Sequence, residues 1–169
     1  MERRSFIKNI GTAALGMSIL ESSFANNLNL GASGKIVVIG GGMAGTTVAK
    51  FLRLWGGTGM DVTLVEPNAT YYSNIFSNMV LTGEKTLSQL SYNYSNLTSK
   101  FGVKVQNFSA SLIDPVNKTV TLSSGTKLIY DRLVLAPGID FESLPISGTS
   151  ANQAKIVNAW KAGVQTTSL

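Results

Sequence analysis

A short β-branched run and the amphipathic segment after it predict the first structural unit of the chain. Residues 35–39 (K-I-V-V-I) are almost continuously apolar, as expected of a strand that is buried on both faces of a parallel sheet. After a glycine-rich turn, residues 43–55 have the apolar spacing of a helix, and Gly56 and Gly57 end that pattern. The side chains expected to face the sheet are those of Val48, Ala49, Leu52 and Trp55.

The rest of the chain alternates between strand-like and turn-like segments. Residues 61–66 predict a second strand, residues 87–100 a helical stretch, and residues 101–105 a third strand. Short strand patterns at 109–113, 119–122 and 127–130 are separated by turn sequences at 114–118 and 124–125. Residues 131–138 then predict a buried strand that runs into a glycine turn. We therefore predict an α/β fold, with a Rossmann-like parallel sheet and a small antiparallel β excursion.

The turn after the first strand has the composition of a phosphate-binding loop. It reads G-G-G-M-A-G and matches G-x-G-x-x-G between a strand and a helix. Gly40 and Gly42 are expected to leave space for phosphate oxygens, and Gly45 to let the helix approach the strand. Met43 and Ala44 begin the helix, where unpaired amides and the positive end of the helix dipole favour a pyrophosphate.

A carboxylate follows at the spacing that a dinucleotide site needs. Glu66 ends the predicted second strand, 21 residues after Gly45. An acidic group at that place accepts the ribose hydroxyls of the adenosine half, and its charge disfavours the 2′-phosphate of NADP. Alone, Glu66 is equally consistent with a solvated strand end, but together with the glycine turn it predicts dinucleotide binding.

The order of these elements resembles the FAD domain of the glutathione-reductase-like flavoproteins, which contain two dinucleotide folds. In that group a Tyr-Asp-x-Leu-Val-x-Ala-x-Gly segment passes beside the flavin nucleotide, and residues 130–138 match it. Within the group, the chain resembles the flavoprotein subunit of the flavocytochrome c sulfide dehydrogenases. The matching stretches are residues 35–45, 49–54, 62–68, 71–73, 76–78, 130–141 and 159–163.

This resemblance implies an FAD-dependent oxidoreductase that oxidises sulfide and passes electrons singly to a separate c-type cytochrome subunit. It also implies contacts to the ADP moiety from Gly40, Gly42, Gly45 and Glu66, to the adenine from Ala110, and along the nucleotide from Ala136 and Gly138. A related flavoprotein that acts on another small reductant stays open, as does a non-catalytic exported module that binds FAD or another nucleotide.

Asn74 departs from the family pattern. In the sulfide dehydrogenases, a cysteine just after the paired tyrosines bonds covalently to the flavin, and here that position is Asn74. Because an amide cannot form the thioether, we expect FAD to be held non-covalently. Alternatively, Asn74 is an ordinary loop residue that forms hydrogen bonds.

The composition narrows the chemistry available to the chain. Its 169 residues include no Cys and no His, which excludes from this sequence a Cys/His zinc site, a Ser-His-Asp triad, a disulfide and a redox cysteine pair. The formal charge of +5 comes from scattered Lys and Arg, so no nucleic-acid partner is expected. No catalytic residue and no metal ligand set emerges. The 169 residues alone are expected to bind flavin weakly and not to oxidise sulfide, because sulfur exchange needs a thiol.

Residues 1–25 have the pattern of an export signal. The chain opens with R-R-S-F-I-K at residues 3–8, continues with an apolar run at 10–20 and offers small residues at 23–25. The adjacent arginines resemble the twin-arginine motif, whose pathway exports folded proteins, so a periplasmic location is expected. As a helix, the apolar run would span about 16 Å of a ~30 Å hydrocarbon core, so no permanent membrane anchor is expected. The alternative is an amphipathic helix of the fold.

These features divide the chain into four parts. Residues 1–25 are the predicted twin-arginine-type signal peptide, 26–34 a linker, 35–150 the FAD-binding domain, and 151–169 the start of a connection to a second domain. The second nucleotide domain and the cysteine pair of the family would follow residue 169. We therefore expect the N-terminal part of a longer protein, in preference to a truncated gene product.

Overall fold

A computed structural model describes residues 33–139 together with Gly163 and Thr166. In chain order its helices and strands are β1 (Gly34–Ile39), α1 (Met43–Gly56), β2 (Met60–Val65), β3 (Thr70–Tyr72), α2 (Ser77–Leu81), β4 (Ser91–Asn93), α3 (Ser95–Phe101), β5 (Lys104–Gln106), β6 (Ala110–Asp114), β7 (Thr119–Leu122), β8 (Lys127–Ile129) and β9 (Arg132–Leu135). The predicted signal peptide, nearly all of the predicted linker and the predicted connection, apart from Gly163 and Thr166, lie outside the described residues. β1 begins at Gly34, one residue before the predicted start of the domain.

A parallel sheet of four strands, in the order β5-β2-β1-β9, forms the centre of the fold. Ile39 of β1 is opposite Val65 of β2 and Leu135 of β9, so these three strands end at one edge of the sheet. β5 adds to the outer side of β2, also in parallel. The predicted Rossmann-like α/β fold is confirmed.

Both faces of the parallel sheet are covered, as the apolar run at residues 36–39 of β1 predicts. Ile36 and Val38 are buried in a cluster on the side of α1, where Ala49 belongs to the same cluster. Val37 points to the other face and is buried with Val120 in a second cluster that includes side chains of the antiparallel sheet. Alternate residues of one strand thus anchor both layers.

The predicted antiparallel excursion is a three-stranded sheet in the order β6-β7-β8. The predicted turn between β6 and β7 is also present, and the Asp114 carboxylate organises it by accepting hydrogen bonds from the amides of Val116 (3.0 Å) and Asn117 (2.9 Å). Hydrogen bonds from Asn117 hold the pKa of Asp114 below its usual value. Lys118, with φ of 50°, closes the turn in the left-handed region.

The segment predicted as one helix over residues 87–100 is divided into three elements. Leu87–Leu90 forms a 3₁₀ turn, Ser91–Asn93 forms β4, and only Ser95–Phe101 is α-helical. The prediction was wrong because β4 pairs antiparallel with β3, which the sequence did not reveal. Pairing with a distant segment overrides the local helical pattern.

Two further predictions differ from the structure. The third parallel strand begins at Lys104 rather than at residue 101, because Phe101 ends α3 and Gly102 terminates it at φ of 66°. On α1, Ala49 is fully buried as predicted, but Trp55 is 47% exposed and its ring lies 4.8 Å from that of Phe51. Within residues 33–139, no helix combines the length and the apolar character needed to cross a bilayer.

Candidate functional site

The glycine turn lies at the edge where three parallel strands end. The Gly40 amide donates to the carbonyl of Val65, the last residue of β2, at 2.9 Å. The Ala136 amide donates to the carbonyl of Ile39, the last residue of β1, at 2.8 Å. Because the strands are parallel and in register, their ends bring Gly40, Glu66 and Ala136 together, although these residues are far apart in sequence.

Gly40 and Gly45 are required by contacts within the chain. A β-carbon on Gly40 would overlap the carbonyl of Ala136, and Gly40 has φ of 104°, which also favours glycine. A β-carbon on Gly45 would overlap the carbonyl of Gly40. The prediction that Gly45 lets the helix approach the strand is therefore confirmed. The space at Gly40, predicted to admit a phosphate, is instead occupied by the strand end at Ala136.

Gly42 is the loop glycine whose missing side chain leaves space open. A β-carbon there would meet no atom of residues 33–139 within 4 Å, in contrast to its neighbours Gly40 and Gly41. Gly42 is also the N-cap of α1, where no side chain caps the helix and no acidic residue occupies the first turn. Met43 and Ala44, the first two helical residues, are exposed. An anion can therefore reach the start of this 14-residue helix.

Glu66 lies immediately after β2 and faces the loop. One carboxylate oxygen, Oε2, accepts a hydrogen bond from the Gly41 amide at 2.8 Å. The other, Oε1, accepts two from Asn68, at 2.9 Å from its amide and 2.8 Å from its Nδ2. A carboxylate accepts about four hydrogen bonds, so Oε2 keeps capacity for a hydroxyl donor. The predicted ribose-binding role fits this geometry, with Glu66 also serving as a support of the loop.

Tyr94 is a component of the site that the sequence did not reveal. Its ring is buried, with 8% exposure, and its hydroxyl donates to the carbonyl of Gly41 at 3.0 Å. Burial, followed by the nearby Glu66 and Tyr71, raises the pKa of Tyr94 to about 12. The hydroxyl therefore stays protonated and can donate. Its neighbours in the sequence, Asn93 and Ser95, are polar, so no local pattern marked Tyr94 as a buried side chain or as part of the site.

Ala110 and Gly138 are two further residues that were predicted to contact the nucleotide. Ala110 begins β6 and packs against the second core cluster. Asn107, three residues earlier, donates from Nδ2 to the Glu66 carbonyl at 3.2 Å, which connects this segment to the site. Gly138 is exposed and has φ of 77°, and no atom of the described residues lies within 4 Å of where its β-carbon would be.

Asn74 is exposed and stands just before α2, where its carbonyl accepts hydrogen bonds from the Ser77 amide (3.2 Å) and hydroxyl (2.8 Å). Among residues 33–139, no hydrogen bond joins Asn74 to the glycine loop. The structure thus collects Gly40, Gly42, Gly45, Glu66 and Ala136 at one edge, and places Asn74 in a separate loop.

A groove of about 310 Å³ runs along the first turn of α1 and past the β3-β4 pair. It is lined by uncharged side chains, those of Met43, Thr46, Thr47, Tyr71, Tyr92, Asn93, Tyr94, Asn96 and Leu97. It includes neither Gly42 nor Glu66, but through Met43 and Tyr94 it adjoins the edge where the loop and the carboxylate meet. In the part of the chain that the structure describes, no group of acidic side chains is placed to hold a metal ion.

Comparison with protein families identifies the family of this chain. The sequence profile of the family described as "Pyridine nucleotide-disulphide oxidoreductase" matches residues 34–165. The chain belongs to this family. The predicted class of FAD-dependent oxidoreductases is thereby confirmed, and FAD is the cofactor that the family implies.

Individual relatives differ in the reactions that their names describe. The chain is 32% identical over 131 residues to the NADH-rubredoxin oxidoreductase of Clostridium acetobutylicum and 34% identical over 104 residues to the sulfide-quinone reductase of Aquifex aeolicus. These matches cover 75% and 61% of this chain, and 31% and 24% of the relatives. The solved structure of a NAD-dependent persulfide reductase from A. fulgidus is similar with a TM-score of 0.70 and 25% identity, over 79% of this chain and 26% of that one.

The chain thus spans about a quarter to a third of the length of the curated relatives that it matches. The resemblance to these proteins concerns their dinucleotide-binding fold. The broader class is established by this match, whereas the specific kinship with the sulfide dehydrogenases stays a prediction.

Proposed function

We propose that this chain forms the FAD-binding part of an oxidoreductase that takes electrons from a small sulfur-containing reductant such as sulfide. The observation that carries the proposal is the open, uncapped helix start at Gly42 beside the Glu66 carboxylate. The sulfur substrate is supported by the resemblance of the sequence to sulfide dehydrogenases and by two relatives named for sulfide and persulfide.

The described residues fit the adenosine diphosphate part of FAD. The amides from Gly42 to Ala44 would donate to the pyrophosphate, and the positive end of the helix dipole would favour its charge. Oε2 of Glu66 would accept a ribose hydroxyl. Ala110, Ala136 and Gly138 stay predicted contacts along the nucleotide. When bound, the flavin accepts electrons as a pair and releases them one at a time.

Asn74 supports non-covalent attachment. Its exposed amide cannot form the thioether that a cysteine forms, so FAD would be held by non-covalent contacts. We further propose a c-type cytochrome as the electron acceptor and export to the periplasm by the twin-arginine pathway. The support for both is the sequence: the resemblance to the sulfide dehydrogenases and the arginine pair at the start of the chain.

Fluorescence titration of FAD with the full 169-residue chain tests the cofactor. We expect quenching, and we expect acid precipitation to leave the flavin in solution. A precipitate that retains flavin would refute the non-covalent attachment, and absence of quenching would refute FAD binding by this chain. Addition of sulfide under nitrogen should leave the bound flavin oxidised, because the chain contains no thiol.

Glu66→Gln tests the role of the carboxylate. The amide can occupy the same space but loses the charge and one acceptor, so FAD affinity should fall about 10-fold. The exposed Glu84→Gln is a matched control that should leave FAD affinity unchanged. Equal FAD affinity of Glu66→Gln and wild type would contradict ribose binding by Glu66.

The substrate itself is tested in the longer protein. If the gene continues beyond codon 169, the encoded protein should bind FAD and become reduced when sulfide is added. A non-catalytic nucleotide-binding module is the other outcome: it would bind FAD, and its flavin would stay oxidised with sulfide.

A further inference from the structure

The Gly41 residue is held from both sides by groups that are distant in sequence. Its amide donates to Oε2 of Glu66 at 2.8 Å. Its carbonyl accepts a hydrogen bond from the Tyr94 hydroxyl at 3.0 Å. Each backbone polar group of Gly41 thus has a side-chain partner, and the middle of the loop is constrained at two points.

Side chains fill the space around Gly41. A β-carbon on Gly41 would lie 2.6 Å from both the Glu66 Cγ and the Tyr94 hydroxyl oxygen, closer than real β-carbons approach. The two side chains therefore contact the loop directly. A small displacement of either one would be transmitted to the Gly41 backbone.

Tyr94 is fixed on the side away from the loop. Its ring is part of the buried cluster that contains Val38 and Leu64 of the parallel sheet. Its own carbonyl accepts hydrogen bonds from the amides of Leu97 (3.0 Å) and Thr98 (3.2 Å) at the start of α3. The hydroxyl is therefore presented to the loop from a rigid base.

The geometry of the peptide bond connects this hydrogen bond to the cofactor site. The Gly41 carbonyl and the Gly42 amide belong to one planar peptide unit, and in a trans peptide the C=O and the N–H point in opposite directions. Anchoring the carbonyl to buried Tyr94 therefore turns the Gly42 amide away from the core. Gly42 is also not crowded by side chains, because no atom of the described residues lies within 4 Å of where its β-carbon would be.

We propose that Tyr94 is a positioning residue that aims the Gly42 amide at the pyrophosphate of the dinucleotide by holding the Gly41 carbonyl. This inference rests on the proposed FAD-binding function and deepens it. Because burial keeps the hydroxyl protonated, the hydrogen bond persists through the neutral and moderately alkaline pH range.

Tyr94→Phe removes the hydroxyl and keeps the buried ring. Titration of the full chain with FAD, and with ADP as the probe of the pyrophosphate half, should show affinities about 10-fold lower than wild type. Tyr71→Phe is the matched control: its ring packs against the same cluster, and its loss of a hydroxyl should leave both affinities unchanged. Equal ADP affinity of Tyr94→Phe and wild type would overturn the inference while the proposed function stands.

The Gly42 amide provides a readout that a purely structural role for Tyr94 would not change. In ¹H-¹⁵N NMR spectra of the wild-type chain, ADP should shift the Gly42 amide resonance strongly, and in Tyr94→Phe this shift should be reduced. An unshifted Gly42 amide in wild type with ADP bound would overturn the inference even if the variant failed to fold. If wild type binds neither FAD nor ADP, the proposed function fails, and the inference fails with it.

Discussion

The two ends of the parallel sheet differ in how the backbone polar groups near them are hydrogen-bonded. At the amino-terminal end, charged side chains form hydrogen bonds with backbone groups of the chain. The Arg53 guanidinium donates to the carbonyls of Phe101 (2.8 Å) and Gly57 (2.7 Å). The Asp131 carboxylate accepts a hydrogen bond from the Lys35 amide at 2.7 Å. At the carboxyl-terminal end, the amides that begin α1 have no side-chain cap. One end is closed by internal hydrogen bonds, and the other retains donors that a ligand can use.

This difference indicates which residues contribute to stability and which contribute to ligand binding. Arg53 connects the ends of α1 and α3 to the start of β2, so it maintains the layer of helices on the sheet. Glu66 and Tyr94 connect the same layers at the opposite end, but through a loop that faces open space. Substitutions at the amino-terminal end should therefore change stability, and those at the open end should change binding.

Gly45→Val should have the largest effect, because Gly45, like Gly40, is a position at the open end where a side chain would disrupt the fold itself. The added carbons would overlap the Gly40 carbonyl, so we expect a loss of about 3 kcal/mol or more in the free energy of unfolding. Urea denaturation followed by circular dichroism measures it. A stability equal to that of wild type would contradict the close contact between helix and strand.

Gly42→Val should separate binding from stability. The added side chain enters open space and φ of −73° suits any residue, so the cost should be that of a poorer N-cap, no more than about 1 kcal/mol in the free energy of unfolding. FAD affinity should fall about 100-fold, because the valine occupies the approach to the helix start. Fluorescence titration and thermal melting of the same sample test both statements. Undiminished FAD affinity would refute the assignment of this edge as the cofactor site.

Arg53→Met should show the reverse behaviour at the amino-terminal end. The methionine keeps an apolar stem but removes the donors to the Phe101 and Gly57 carbonyls, and we expect a loss of about 2 kcal/mol in the free energy of unfolding. FAD affinity of the folded fraction should stay at the wild-type value. Lys104→Met is the control, because its ion pair with Asp61 is exposed and should contribute less than about 1 kcal/mol.

The smallest effect concerns pH and Tyr94. Its pKa is raised to about 12 in the folded chain from an ordinary value of 10.0, so folding favours the protonated hydroxyl. This stabilisation is fully present below pH 10 and is lost as pH rises towards 12. The stability difference between wild type and Tyr94→Phe should therefore decline from pH 9 to pH 11 in urea denaturation. Parallel stability curves for the two proteins would contradict the shift.

Much of the fold was predictable because its signals are local. The β-branched run of β1, the helical spacing of α1 and the turn residues between β6 and β7 each specify an element from neighbouring residues alone. The strand-turn-helix order also identified the loop and the class of cofactor. The errors at residues 87–100, at Gly40 and at Trp55 arose where a distant strand or the extent of the covering layers decided the outcome.

The amino-acid sequence by itself determined the Rossmann-like fold, the glycine loop and the acidic residue that follows the second strand, because spacing along a chain specifies them. Only the tertiary structure decided that Gly42 faces open space and that Gly40, like Gly45, is needed for internal packing. It alone also brought Tyr94 beneath Gly41, because a contact between residues 53 positions apart depends on how helices and strands pack in three dimensions.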